Sequence, residues 1–259
     1  MQTGMIDMES NTTLVQCYPA HEAVPDGTGP FPGVVVAHDC FGLNPHAKGI
    51  ANRLAGAGFY ALAPNFYGGP TSVADVAPEY LHPAVATHFE YTQEERAEDA
   101  AAMLSDERGE AIFRQAIDYA VTRGKVRSGG VGVLGFSMGG RLAFLAACRN
   151  SDQVRAAVSF YPKGIASPSP GQRGRPLPID LARDLRAPLL LFYGQLDKTI
   201  SRQERETVRE RLAALGKDFR VEVFHDAGED FFCEERDTHR IHASNIAWEE
   251  TLALFRRCL

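Results

Sequence analysis

Residues 131–144 read Val-Gly-Val-Leu-Gly-Phe-Ser-Met-Gly-Gly-Arg-Leu-Ala-Phe. The stretch passes from a continuous apolar run, through Gly135-x-Ser137-x-Gly139-Gly140, into an amphipathic helical pattern. Strand, sharp turn and helix in that order are the context of a nucleophile elbow, where glycines flank a serine because the turn leaves no room for side chains. The following helix points its N-terminus at developing negative charge. The plain alternative is a Gly/Ser-rich turn without chemistry.

Outward from this turn, short apolar runs alternate with helical patterns, the signature of a mostly parallel sheet with helices on both faces. Strands are expected at 33–38, 60–64, 131–136, 156–161, 188–193 and 220–225, with a weaker one at 12–18. Helices are expected at 46–57, 94–104, 107–123, 138–148, 202–215 and 238–257. Two segments break the alternation, 68–92 and 162–178, and read as loops that either cover a site or are simply exposed. One α/β domain over 1–259 accommodates the whole pattern.

Composition narrows the function classes. The chain has 259 residues, 44% hydrophobic and 23% charged, with a formal charge of −6. That is ordinary globular material with ample core, and its acidity argues against nucleic acid as a partner. No apolar run approaches the roughly 20 residues that span a bilayer, so no membrane partner is expected. Residues 1–10 carry two acids and no base, unlike a secretory signal. The five cysteines are scattered without a Cys-x-x-Cys pair, which reads as cytoplasmic thiols and neither a disulfide framework nor a zinc site. No metal or cofactor motif appears, so the expected partner is a small-molecule substrate, handled by a monomer or homodimer.

A serine nucleophile needs an acid and a base. Asp197 follows the strand at 188–193 in Phe-Tyr-Gly-Gln-Leu-Asp, the position for the acid. The base is expected after the next strand.

At this point a resemblance enters. The run Val34-Val-Val-Ala-His-Asp-Cys-Phe-Gly-Leu-Asn-Pro-His46 resembles the dienelactone hydrolase family. So do Tyr60-Ala-Leu-Ala-Pro-Asn-Phe-Tyr, Gly135-Phe-Ser-Met-Gly-Gly, Phe192-Tyr-Gly-Gln-Leu-Asp and Ala227-Gly-Glu-Asp-Phe-Phe-Cys-Glu-Glu-Arg236. The resemblance implies the α/β-hydrolase fold and action on esters or lactones of small molecules. It implies Ser137 as nucleophile and the backbone N–H groups of Cys40 and Met138 as the oxyanion hole. Asp39 stands where the type enzymes have a glutamate. His38, Phe41, Tyr67, Phe136, Tyr161 and Arg236 are candidate substrate contacts, Arg236 as a clamp for an anion.

One departure governs the chemistry. The family's Ala-Gly-His-x-Phe reads Ala227-Gly228-Glu229-Asp230-Phe231, so Glu229 replaces the catalytic histidine. A free glutamate is about two pK units less basic than a free histidine, a deficit of roughly 3 kcal/mol. Asp197 would then face another carboxylate, and one of the pair should hold a proton. His38 and His225 are the leading substitutes for the base; His239 and His242 fall at the start of the last helix, and His46 fits a helix start. Three readings stay open. The first is an ester or lactone hydrolase using Ser137, Asp197 and Glu229. The second is a non-hydrolytic acid/base catalyst in which Glu229, Asp39 and Ser137 shuttle protons for addition, cyclisation, isomerisation or elimination. The third is a binding protein that has kept the pocket and lost the reaction.

Overall fold

The computed structural model describes residues 1–8, 18–68, 93–168 and 176–259. Eight strands form one sheet: β1 Gln2–Met8, β2 Tyr18–Val24, β3 Phe31–Ala37, β4 Tyr60–Pro64, β5 Val126–Phe136, β6 Val154–Phe160, β7 Leu189–Gly194 and β8 Phe219–Phe224. Their spatial order is β1-β2-β4-β3-β5-β6-β7-β8. From β4 to β8 neighbouring strands are parallel, while β1 and β2 pair antiparallel and β2 joins β4 antiparallel. The central strands are apolar runs buried on both faces, as parallel strands between helical layers must be.

Six α-helices and one 3-10 helix, Pro178–Asp184, complete the described layers: α1 Pro45–Gly56, α2 Gln93–Met103, α3 Asp106–Thr122, α4 Met138–Arg149, α5 Arg202–Ala214 and α6 Ile241–Cys258. Three of them start on side-chain caps. Asn44 accepts from the Ala47 N–H at 3.0 Å, Ser105 from Arg108 at 3.2 Å and Ser201 from Glu204 at 3.1 Å, each satisfying a donor left free in the first turn. Helix α4, which opens at Ser137, is buried on nearly every side. Its buried Arg141 pairs with Asp106 through two contacts of 3.0 and 2.6 Å, locking α4 to the start of α3.

The six parallel strands and six helices lie where the pattern places them, with ends shifted by up to five residues. Two features differ. The weak strand expected at 12–18 begins only at Tyr18, and residues 9–17 lie outside the described residues. Strand β1 has no counterpart in the expectation. Its residues are mostly exposed, with only Ile6 and Met8 turned inward, too short an apolar alternation to read as a strand. The expected loop at 68–92 lies, beyond Gly68, outside the described residues, as do residues 169–175 of the second loop.

Candidate active site

The turn between β5 and α4 is strained in the manner its glycines require. Ser137 has φ 50° and ψ −115°, a left-handed conformation costly for a residue with a side chain. A Cβ on Gly135 would lie 2.0 Å from the Gly139 carbonyl oxygen, and one on Gly139 would lie 2.3 Å from that of His38. Neither position admits any other residue. The Ser137 N–H donates to the Phe160 carbonyl at 2.9 Å, fixing the turn to β6. No described residue hydrogen-bonds the Ser137 hydroxyl, which faces the pocket.

Beside it, the loop after β3 is built by Asp39. The Asp39 carboxylate accepts from the Phe41 N–H at 2.9 Å, and Tyr67 donates its hydroxyl to the Cys40 carbonyl at 2.7 Å. These bonds orient the Cys40 peptide. Neither the Cys40 nor the Met138 N–H is engaged by a described residue, and both residues line the pocket with Ser137. Two unsatisfied donors beside a serine are suited to holding an oxyanion.

Asp197 lies just beyond β7, and Gly194 lets the neighbouring chain approach: a Cβ there would sit 2.4 Å from the Ala227 and Gly228 carbonyls. Asp197 Oδ1 accepts from the Thr199 N–H at 2.7 Å, the Thr199 hydroxyl at 2.9 Å and the Ile200 N–H at 3.1 Å. Its Oδ2 is buried without a hydrogen bond.

Glu229 does not behave as a free glutamate. Burial, then the negative charges of Asp230 and Asp197, push its pKa up to about 7, while Lys163 and Thr199 pull the other way. The deficit in basicity reckoned from free amino acids is thus largely removed by the site itself. Asp230, at φ 57°, is raised to about 6 by burial and by Asp39. Asp39 is raised to about 6, by burial first, against the opposing pull of Arg236.

This arrangement has a consequence for stability. A glutamate whose folded pKa is raised from 4.5 to about 7 favours the fold fully below 4.5 and loses that contribution as pH rises through 7. Glu229→Gln is therefore expected to stabilise the protein at about pH 8, by roughly 2 kcal/mol after allowing for partial exposure. Thermal melts should show the gain shrinking as pH falls towards about 4.5. Equal melting curves at alkaline pH would contradict it.

Ser137 and Glu229 share the walls of two connected spaces. One is a pocket of about 100 Å³ that also touches Cys40, Met138, Arg141 and Lys163. The other is an open groove of about 520 Å³ running past Phe41, Asp230 and Arg236. The Arg236 guanidinium lies 4.1 Å from the Phe41 ring centroid, so these two residues form one wall.

Not every expected contact reaches these spaces. His38 is fully buried, with Nδ1 donating to the Asp39 carbonyl at 2.6 Å and Nε2 accepting from the Phe66 N–H at 3.0 Å. Both ring nitrogens are engaged by backbone and burial holds its pKa near 4, so neither nitrogen is free towards the pocket or groove. Phe136 and Tyr161 are core residues packed among Phe160, Phe231 and Phe232. Tyr67 and Asp39 support the loop from behind. His225 is exposed and bonded to Gln195, and His46 is buried against Phe136. No described histidine lines the pocket or groove, and His82 and His88 lie outside the described residues. Asp230, Lys163, Glu98 and Thr199 were not anticipated. Adjacency to Glu229 was a usable signal for Asp230, whereas the others depend on the tertiary fold.

The Glu229 loop is clamped to α1. Arg53 stacks 4.4 Å from the Trp248 centroid and 5.4 Å from that of Phe232, and pairs with Glu234 at 3.4 Å. Arg53→Ala is expected to cost about 1 kcal/mol and to raise amide exchange at residues 232–236. Unchanged exchange there would show that the stack holds nothing in place.

Among the described residues, no helix is long and apolar enough to cross a membrane, and no group of three or more His, Cys, Asp or Glu is placed to hold a metal ion. Comparison with known proteins agrees with the geometry. The "Putative carboxymethylenebutenolidase" of Escherichia coli strain K12 is 31% identical, with 92% of this chain and 82% of that protein covered. A "Probable 2-oxo-3-(5-oxofuran-2-ylidene)propanoate lactonase" of Bradyrhizobium is 28% identical, covering 92% and 88%. The crystal structure of a "Putative Dienelactone Hydrolase" from Klebsiella pneumoniae superposes with a TM-score of 0.83 at 26% identity, covering 99% and 98%. The model of the dienelactone hydrolase family matches residues 19–259. The chain belongs to the dienelactone hydrolase family and is an enzyme on the α/β-hydrolase fold.

Proposed function

We propose that the protein hydrolyses esters or lactones of small molecules, with Ser137 as nucleophile and Glu229 as general base. The observation that carries this is the pairing of Ser137 and Glu229 on the same walls, with Glu229 titrating near 7. A general base works best when its pKa lies near the operating pH, which is how histidine serves in this position elsewhere. Ionised Glu229 takes the Ser137 proton as Oγ attacks the carbonyl carbon, and the Cys40 and Met138 N–H groups hold the resulting oxyanion. Protonated Glu229 then delivers that proton to the departing oxygen. Water releases the acyl group by the same steps in reverse order. Asp197, held in place by three donors on Oδ1, lies beside Glu229 and helps raise its pKa.

The test is direct. Purified protein should turn over an aryl ester or an enol lactone and should take one fluorophosphonate per chain, on Ser137. Absence of both would refute the reading.

A second reading draws on Asp230, a carboxylate raised to about 6 beside Glu229 on the groove wall. Two carboxyl groups poised near neutrality suit proton transfer between carbon atoms, with the oxyanion hole holding an enolate. Exchange of substrate C–H for deuterium in heavy water, without an acyl-enzyme, would favour it over hydrolysis.

A further inference from the structure

Strand β8 is the far edge of the sheet, and its free side has a specific pattern. The Leu189 N–H donates to the Asp218 carbonyl at 3.0 Å, and that of Gln195 to Phe224 at 2.9 Å. With the parallel register of β7 against β8, this turns the peptide groups of Arg220, Glu222 and Phe224 towards β7. The N–H and C=O groups of Phe219, Val221 and Val223 point the other way, and no described residue bonds them. Their side chains are half-buried, while Arg220 is exposed.

A second copy of the same strand fits this edge in one register. Antiparallel pairing centred on Val221 sets Phe219 against Val223, so every hydrogen-bonding residue of the edge meets another one. It also sets Arg220 against Glu222 twice, in the closely spaced pairs between. Centring on Arg220 or on Glu222 would oppose like charges, and centring on Phe219 or Val223 would leave most of the strand unpaired. We propose that two copies of this chain join through β8, antiparallel about a twofold axis at Val221, so that Arg220 of each meets Glu222 of the other. The sheet then runs continuously through both copies, an isologous contact.

A groove of about 490 Å³, lined by Phe219, Arg220, Glu250 and Arg257 among others, flanks this edge. Within one copy Arg220 reaches Glu222 at 3.0 Å and Glu250 at 2.8 Å, yet Glu250 Oε2 is buried without a partner. The competing account is that Arg220 and Glu222 are edge charges that discourage pairing.

Sedimentation velocity of the full chain over a concentration series separates the two. The expected result is a dimer whose dissociation constant rises roughly 100-fold or more in either Arg220→Glu or Glu222→Arg, because each creates two like-charge contacts. The double variant R220E/E222R should recover most of the affinity, which also shows that the exchanged residues are compatible with folding. Val221→Pro removes an N–H that is unbonded in the single copy, and should yield a folded monomer. A wild-type chain that stays monomeric at every concentration, a dimer indifferent to the single reversals, or a double variant that stays apart would each overturn the proposal.

Discussion

Ser137→Ala is expected to lower kcat for an aryl ester by roughly 10⁴-fold or more, and to abolish fluorophosphonate labelling. The size follows from the role. Without Oγ no acyl-enzyme forms, and only polarisation by the Cys40 and Met138 N–H groups remains. The fold should survive, because the turn is held by backbone: the Ser137 N–H on Phe160 and the close approach of Gly139 to His38 do not involve the hydroxyl. Circular dichroism and the melting temperature check this. Esterase activity that persists in the folded variant would remove Ser137 from the mechanism.

The second large effect is read in the pH profile. The base form of Glu229 is its anion, so kcat/KM should rise with pH along a limb with an apparent pKa near 7. Glu229→Gln keeps the shape of the side chain and removes the proton acceptor. It should lower kcat/KM about 10²- to 10⁴-fold and remove that limb. The corresponding variants His82→Gln and His88→Gln should leave the limb in place. A limb that outlasts Glu229→Gln and disappears with one of these would assign the base to a histidine. Together with the predicted alkaline stabilisation, Glu229→Gln should trade activity for stability, since the buried charge assigned to proton transfer in the proposed mechanism also opposes the fold.

Much of the molecule was legible from residues alone, for identifiable reasons. The elbow could be read because steric demands at Gly135 and Gly139 leave only glycine, and those glycines stand at fixed distances from Ser137. The parallel strands could be read because burial on both faces forces continuous apolar runs. Strand β1 could not, because an edge strand that buries only its last residues needs no long apolar run. The candidate site was proposed as a set of residue types, and Glu229 stood out through its position in Ala-Gly-Glu-Asp-Phe. Its proton affinity was not legible, because that depends on burial and on Asp197 and Asp230 meeting it in space. His38 misled for the same reason: its place in sequence is beside the site, but its two nitrogens serve the Asp39 and Phe66 backbone.

In the proposed mechanism, a glutamate in the role of a histidine changes more than the strength of a base. A histidine site is competent when neutral and acquires positive charge as it is acidified. A glutamate site is competent when negative and becomes neutral on acidification. In the proposed mechanism the working state adds the charge of Glu229 to those of Asp230 and Asp197, which Lys163 and Arg236 oppose, so a substrate carboxylate is held less well when the site is most able to react. Raising the salt concentration would therefore help an anionic ester and hinder a cationic one, which makes ionic strength a selector of substrate as well as a solvent condition.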